Sequence, residues 1–545
     1  MHADRQAVGE VPEAALTLAA NPLVGVRGQD ILAAAGTLFT EMARRPGIAV
    51  QQYFSLLGEL GRIALGRSEL APAPQDKRFS DPAWKESPGY RALAQAWLAW
   101  GLALNRFVDQ AGMARRDAER ARFVVSLLVD AFAPTNSLGG NPAALKRLLD
   151  TGGASFARGI ENFVADLGNG GLPAQVDPSQ FAVGKNLATS AGAVVHRSPV
   201  MELIQYKPTT GQVHARPLLI APPQINKFYV FDLAPEKSIV QLALQGGLQT
   251  FAVSWKNPTR AESHFGLDTY VAALEEAADV MRGITGAEDV NIWGACSGGI
   301  TTSALLARLA ERGSRKVHCA TIAVCVLDMA MAQDTTAGMF ITPQSVLAAK
   351  AASQFAGVLE GQELARMFAW MRPNDLVWNY WVNNYLMGNA PPAFDILYWN
   401  CDSTRLPAKL HADFLDLIDS NPFVRDMRRV DLDAYVVAGL SDHITPWRGC
   451  YSTARLYGER TTFVVSNSGH IQSLLNPPGN PKAFFWSGEP RAPTAEAWLE
   501  KATKSQGSWW PHWLEWIKAR SGPLHEAPPL ENNLGAAPGR YVLEK

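Results

Sequence analysis

Val290-Asn291-Ile292-Trp293-Gly294-Ala295-Cys296-Ser297-Gly298-Gly299-Ile300 decides how the rest of the chain is read. Val290, Ile292 and Trp293 form a short apolar run of the kind a buried strand needs. A turn of the form Gly-x-Cys-x-Gly follows, and the stretch after it, Ile300 to Leu309, has helical character. Strand, sharp turn and helix in this order make a nucleophile elbow, with sulfur where such a turn usually carries a serine oxygen. The glycines let the backbone pack closely against the neighbouring strand and helix. The strain pushes Cys296 out at the top of the sheet, and the helix aims its first N–H groups at whatever sits on the sulfur. A plainer reading is a small buried cysteine in an ordinary turn, and loops further along the chain decide between the two.

The chain has 545 residues, enough for two or more domains. Hydrophobic residues make up 47% and charged residues 19%, which suits a globular protein with a large core. Lys and Arg total 50 against 51 Asp and Glu, so the net charge of −1 offers nothing to a nucleic acid or an anionic membrane. No apolar run approaches the roughly 18 residues of a membrane span, and Met1-His2-Ala3-Asp4-Arg5 lacks a signal-peptide pattern. Five scattered cysteines argue against a disulfide framework and have no metal-ligand spacing. No metal or cofactor is therefore implied. A reducing cytoplasm is the expected setting, and it would keep a catalytic thiol reduced.

Residues 1–28 show no strong period. From Gln29 to about Gly66, then over Tyr90–Ala111, Asp117–Phe132 and on to about Leu167, the patterns are helical. Residues 71–90, with Ala71-Pro72-Ala73-Pro74, read as a long surface loop. No strand signal occurs before residue 165. Gly168-Asn169-Gly170-Gly171-Leu172-Pro173 is the best boundary, so residues 1–170 are expected to form a helical domain and residues 171–545 the catalytic one.

Beyond it, Ala193–His196 and Glu202–Tyr206 look like a hairpin. Pro217–Ala221, Thr250–Trp255, Val290–Trp293, Val317–Leu327, Ala434–Val437 and Thr462–Val465 are apolar runs, with helices between several of them. Such alternation means a parallel sheet covered on both faces, an α/β fold. Between Asp328 and Asp433 the alternation stops, too long a gap for a plain connection. This insert, about 331–410, carries Phe368, Trp370, Trp378, Trp381, Tyr385, Tyr398 and Trp399, and is expected to be a cap subdomain over the site. The expectation as a whole is an α/β-hydrolase fold with an inserted cap, preceded by a mostly helical N-terminal domain.

A thiol nucleophile needs a base, and the base an orienting acid. In α/β-hydrolases these follow the nucleophile in the order acid, then histidine, each in a loop after a strand. Asp442 follows Ala434–Val437 within Ser441-Asp442-His443, and His470 follows Thr462–Val465 within Ser468-Gly469-His470. Asp328 also follows a strand, and His443 is a second candidate base. The glycine before His470 allows a tight loop, whereas His443, next to Asp442, is badly placed to face it. Cys296, Asp442 and His470 are accordingly the expected triad.

Gly294-Ala295-Cys296-Ser297-Gly298-Gly299 resembles the lipase-box variant of the polyhydroxyalkanoate synthases. Pro222-Pro223-Gln224-Ile225-Asn226-Lys227-Phe228-Tyr229, Ser254-Trp255-Lys256-Asn257-Pro258, Asp395-Ile396-Leu397-Tyr398-Trp399-Asn400 and Gly469-His470-Ile471-Gln472-Ser473 are similar to that family as well. The resemblance covers nearly the whole chain. Ile204-Gln205-Tyr206-Lys207-Pro208 and the serine after Cys296 resemble its class II, medium-chain-length type. It implies polymerisation of (R)-3-hydroxyacyl-CoA into a growing polyester, the same triad, a homodimer, and a place at the surface of polyester granules beside granule-coat proteins. The fold suggests an oxyanion hole from the backbone N–H groups of Ser297 and of the loop containing Ile225. Cys325, Trp399 and Gln472 are candidates for the substrate pocket, although a buried core thiol is the better reading of Cys325. The rival enzyme reading is a thioesterase or polyester depolymerase using the same triad.

Overall fold

The computed structural model describes residues 28–168, 172–328, 341–364, 373–419, 426–530 and 534–545. Its described residues divide into two units, one within Gly25–Asp177 and Arg366–Phe394, the other within Pro178–Ala365 and Asp395–Lys545. The aperiodic start, part of the expected boundary (169–171) and parts of the insert (329–340 and 365–372) lie outside the described residues.

The first unit is helical. Its main helices are α1 (Gly28–Arg44), α2 (Pro46–Ala64), α3 (Pro88–Gln110), α4 (Arg115–Ala131), α5 (Pro142–Asp150) and α6 (Ala154–Gly168). The single helical pattern expected from Gln29 to Gly66 is split at Arg45, because Pro46 cannot continue a helix but suits the first turn of a new one. Residues 71–90 are more ordered than a surface loop. Phe79 and Trp84 are buried, and they join Trp97 and Ala94 in a local core. Phe79 and Trp84 pack edge to face at 4.8 Å.

The middle of the insert belongs to this helical unit. Wide π-type turns cover Asn374–Trp378 and Trp381–Leu386. The α6 residue Asn162 donates from Nδ2 to the carbonyls of Asn384 (2.9 Å) and Asn389 (3.0 Å). A Cβ at Gly159 would lie 1.9 Å from the Tyr385 carbonyl, so only glycine permits this approach. Phe163 meets the Tyr385 ring at 5.3 Å, and the Tyr385 hydroxyl donates to Asp166 at 2.8 Å. Tyr385→Phe is therefore expected to lower stability by about 1–3 kcal/mol, since it strips a buried carboxylate of a donor. An unchanged denaturant midpoint would refute this assignment of the insert.

The second unit is built on a ten-stranded sheet among the described residues, in the order β1-β2-β5-β4-β6-β7-β10-β11-β12-β13. The strands are β1 (Gly192–Arg197), β2 (Met201–Tyr206), β3 (Gln212–His214), β4 (Leu218–Ala221), β5 (Thr250–Trp255), β6 (Val290–Ala295) and β7 (Val317–Ala323). Then come β8 (Val358–Leu359), β9 (Leu406–Pro407), β10 (Asp433–Gly439), β11 (Thr461–Ser466), β12 (Phe484–Gly488), β13 (Thr503–Gln506) and β14 (Leu524–Glu526). The run β5-β4-β6-β7-β10-β11 is parallel. The expected hairpin is present as antiparallel β1–β2. Two further antiparallel strands, β12 and β13, extend the sheet past β11. The outer one, β13, Thr-Lys-Ser-Gln, is polar, exposed and at the edge, so no apolar run announces it. The strands β4, β5 and β6 are buried along their whole length, which is why they read as apolar runs.

The helices that bear on the site are α7 (Leu267–Thr285), α8 (Ser297–Glu311), α9 (Pro343–Ala356), α10 (Asp395–Cys401), α11 (Ala408–Asp419), α12 (Trp447–Leu456), α13 (His470–Leu474) and α14 (Trp510–Lys518). Together with Trp509 just before it, the last contains Trp509-Trp510-Pro511-His512-Trp513. Trp509 and Trp510 donate from their indoles to the carbonyls of Ser473 (2.9 Å) and Leu474 (3.1 Å). Trp513 packs tilted against Trp293, ring centres 4.6 Å apart, and donates to Thr321 Oγ1. These tryptophans thus satisfy the end of the short helix α13, which His470 begins, and brace β6, which ends at the elbow.

Candidate active site

Cys296 stands between β6 and α8 with φ 50° and ψ −123°. A residue with a side chain at positive φ is strained, by about 1–3 kcal/mol, and persists only where its surroundings hold it. Here its N–H donates to Ala323 of β7 (2.9 Å), and its carbonyl accepts from Gly299 and Ile300. A Cβ at Gly298 would lie 2.5 Å from the Ala221 carbonyl and 2.6 Å from that of Pro222, so the helix can seat against the end of β4 only with glycine there. Val324, at the end of the neighbouring strand, is also strained, with φ 45°. Its N–H crosses to Val437 of β10 (2.8 Å). The run Val317–Leu327 was expected to be one strand. It stops at Ala323 because this kink redirects the chain, a tertiary constraint that apolar character does not reveal.

Asp442 follows β10 and His470 opens α13 after β11. Asp442 Oδ2 lies 2.8 Å from His470 Nδ1, and both side chains are buried. Asp442 Oδ1 accepts from the N–H groups of Ile444 (2.8 Å) and Thr445 (2.9 Å). Burial opposes ionisation of Asp442, but the His470 charge and these donors outweigh it and hold the carboxyl below its ordinary value. Burial likewise opposes a charge on His470. Asp442 and the Cys296 sulfur overcome it and push the ring up to about 10. With Nδ1 on Asp442, Nε2 is the ring nitrogen left to serve a thiol. The structure thus brings Cys296, His470 and Asp442 together.

The Pro222–Tyr229 loop lies beside the elbow. Gln224 donates from its backbone to Ser297 Oγ (3.1 Å) and from Nε2 to Thr301 Oγ1 (2.9 Å). Trp255 caps the Pro222 carbonyl (2.9 Å) and Trp399 that of Lys227 (2.7 Å). Thr404 bonds the carbonyls of Gln224 and Ile225, and Asp402 takes Lys227 Nζ and the Tyr229 hydroxyl, each at 2.8 Å. Three separated sequence stretches therefore converge on one loop. Among the described residues, the N–H groups of Ile225 and Ser297 have no protein acceptor.

Of the pocket candidates, Cys325 is buried with its sulfur against Gly299, behind the elbow, where burial pushes its thiol up. Trp399 is 1% exposed and belongs to the main core. Gln472 is exposed on α13. Partly buried Ile396, Tyr398, Ile471 and Leu475 pack, like Cys296, against that core. Sequence reasoning missed Thr445, whose hydroxyl donates to Asp442 Oδ2 at 2.7 Å and lies 3.1 Å from His470 Nδ1. The available signal was an Asp-x-x-Thr spacing, common in turns and silent about chemistry.

Comparison with known proteins agrees with this architecture. The family described as "Poly-beta-hydroxybutyrate polymerase (PhaC) N-terminus" matches residues 75–243, and "alpha/beta hydrolase fold" matches residues 227–477. The chain is 50% identical to poly(3-hydroxyalkanoate) polymerase 1 of Ectopseudomonas oleovorans, over 97% of each chain. It is 49% identical to polymerase 2 of the same organism, over 96% of each. To the poly(3-hydroxyalkanoate) polymerase subunit PhaC of Cupriavidus necator it is 36% identical, over 96% of this chain and 91% of the other. On an α/β-hydrolase sheet, with identity running almost from end to end, the chain belongs to the poly(3-hydroxyalkanoate) polymerase family.

Proposed function

We propose that this chain polymerises (R)-3-hydroxyacyl-CoA into polyhydroxyalkanoate polyester with release of CoA, by covalent catalysis at Cys296. As a member of its family the protein is an acyltransferase. The observation that carries the mechanism is the strained Cys296 at the elbow facing a buried His470–Asp442 pair. His470, whose raised value favours the imidazolium, holds the thiol proton at Nε2, and the Cys296 thiolate of this pair attacks the thioester carbonyl. The N–H groups of Ser297 and Ile225 receive the developing oxyanion. Collapse expels CoA thiolate, which leaves with the proton from His470. The acyl group on sulfur keeps its activation, because exchange between thioesters is nearly balanced. The 3-hydroxyl of another unit then attacks the acyl carbonyl while His470 takes its proton; the C–S bond to Cys296 breaks, the Cys296 thiolate leaves and shares the proton with His470 again, and a thioester has become an oxygen ester, a downhill step. Asp442 orients His470 and stabilises its charged form. The decisive experiment supplies 3-hydroxyacyl-CoAs of two chain lengths and scores CoA release and insoluble polymer together. CoA and free acid without polymer would select the thioesterase or depolymerase reading instead.

The domain roles follow the same reading. The helical N-terminal part, about 1–170, serves dimerisation or granule contact, supported by exposed Leu32, Phe39, Phe54 and Leu57 on α1 and α2. The working form is a homodimer on the granule surface in the cytoplasm, beside granule-coat proteins. Charged replacements at Phe39 and Phe54 should weaken self-association or granule recovery, and unchanged sedimentation and recovery would remove this role. No described helix is long and apolar enough to cross a membrane.

Within the insert expected at about 331–410, the limbs that stay with the sheet unit, 341–364 and 395–410, act as a cap that admits the acyl chain. Its return limb, 402–404, is stitched to the Gln224–Tyr229 loop and should exchange amide hydrogen slowly. Helix α9, with Leu347 and Phe355 exposed, should gain protection when a non-reacting acyl-CoA analogue binds. Unchanged exchange in α9 would favour a rigid subdomain.

A further inference from the structure

The Asp442 carboxylate accepts four hydrogen bonds, and one of its donors has no counterpart in the three-residue scheme. Oδ1 is taken by two backbone N–H groups. Oδ2 receives both His470 Nδ1 at 2.8 Å and the Thr445 hydroxyl at 2.7 Å, while Thr445 Oγ1 and His470 Nδ1 are themselves 3.1 Å apart. Three atoms of three residues thus form a closed triangle. A hydroxyl has one proton, and the carboxylate is the stronger acceptor, so that proton goes to Oδ2. A lone pair of Oγ1 is then left facing Nδ1–H, which has two acceptors in place of one. Thr445 is held for this task from both sides. Its own N–H is on Asp442 Oδ1, and its carbonyl accepts the Cys450 thiol at 3.6 Å.

We infer that Thr445 is a positioning residue for the acid–base pair. Its hydroxyl fixes the His470 ring plane, keeps the proton on Nδ1 so that Nε2 is free for the Cys296 thiol, and loads Oδ2 so that the carboxylate stays ionised when the imidazolium forms. The inference rests on the reading of Cys296 as nucleophile and His470 as base.

The test uses the full chain as wild type, Thr445→Val, Thr445→Ser and Cys296→Ala, with a labelled 3-hydroxyacyl-CoA in single turnover. Thr445→Val removes the hydroxyl at constant shape and should slow acylation about 10- to 100-fold, the range for a hydrogen bond to a charged group. KM should stay within about twofold, because no substrate contact is lost. Thr445→Ser should recover most of the rate. The low-field Nδ1–H proton resonance of His470 should shift in Thr445→Val and return in Thr445→Ser. Should Thr445→Val fold poorly, Thr445→Ala takes its place, with rates expressed per folded molecule. Wild-type acylation and an unmoved resonance in the hydroxyl-free variant, beside an inactive Cys296→Ala, would overturn the role of Thr445 and leave the nucleophile standing. Acylation in Cys296→Ala would overturn the reading beneath it.

Discussion

Cys296→Ala is expected to abolish CoA release, with a loss on the order of 10⁴-fold or more, while the protein stays folded. Cys296 alone among the five thiols sits at a strained elbow beside His470. The others have different surroundings. Cys319 is buried and donates to Asn291 Oδ1 at 3.0 Å, and burial pushes its thiol well up. Cys450 is buried against the Thr445 carbonyl, and Cys401 lies on α10. Replacing Cys319, Cys401 or Cys450 by Ser or Ala should keep most activity. Cys450→Ser is the more conservative choice at its position, since it retains a donor for Thr445. The measurement is thiol release from 3-hydroxyacyl-CoA, with a thermal melt to show that each variant is folded. Full activity in Cys296→Ala would sink the proposed mechanism.

His470→Gln should remove acylation as well as turnover, whereas Asp442→Asn should still acylate Cys296 slowly, down by about 10²- to 10⁴-fold. Glutamine offers no proton acceptor of suitable strength. The effect of Asp442→Asn follows from the hydrogen bonds. Asp442 accepts on both oxygens, so an amide in its place must turn its NH₂ towards some of those donors. If the NH₂ faces His470, Nδ1 becomes the acceptor and the ring proton moves to Nε2, where it blocks the thiol's approach. Equal, rapid trapping of a labelled acyl-enzyme in both variants would show that His470 is not the base.

The same pair gives a pH signature. The His470 value is raised from 6.5 to about 10, so the stability that Asp442 lends to the charged ring is complete below 6.5 and is lost as pH rises towards 10. The Asp442 value is lowered from 3.8, so its contribution is present above 3.8 and disappears as pH falls through the lowered value. The stability gap between wild type and Asp442→Asn should therefore be widest between about pH 4 and 6.5 and should narrow towards pH 10. A gap that stays constant from pH 6.5 to 10 would contradict the ion-pair assignment.

Much of this site could be read in the sequence because its signals are local. The elbow needs two glycines flanking one nucleophile within five residues, so Gly294, Cys296 and Gly298 stand out without any neighbour in view. Asp442 and His470 each sit just past an apolar run, and a parallel sheet places all such loops along one edge. The buried strands β4, β5, β6, β10 and β11 were visible for the same reason, as short apolar runs between helices.

Tertiary structure decided the rest. Residues 373–394 lie inside the insert by sequence but pack with α6, because Gly159, Asn162 and Asp166 offer a cleft and polar partners that no periodicity announces. The kink at Val324 ended a strand whose apolar run continued, and the edge strand β13 formed from a polar tetrapeptide that only a neighbour could recruit. Trp399, an apparent pocket residue among many aromatics, is a core side chain whose indole holds the Lys227 carbonyl. The Thr445 hydroxyl entered the acid–base pair through a distance of 2.7 Å, set by where β10 and β11 deliver their loops. Short-range backbone chemistry determined which residues could react, and long-range packing determined which side chains surround and orient them.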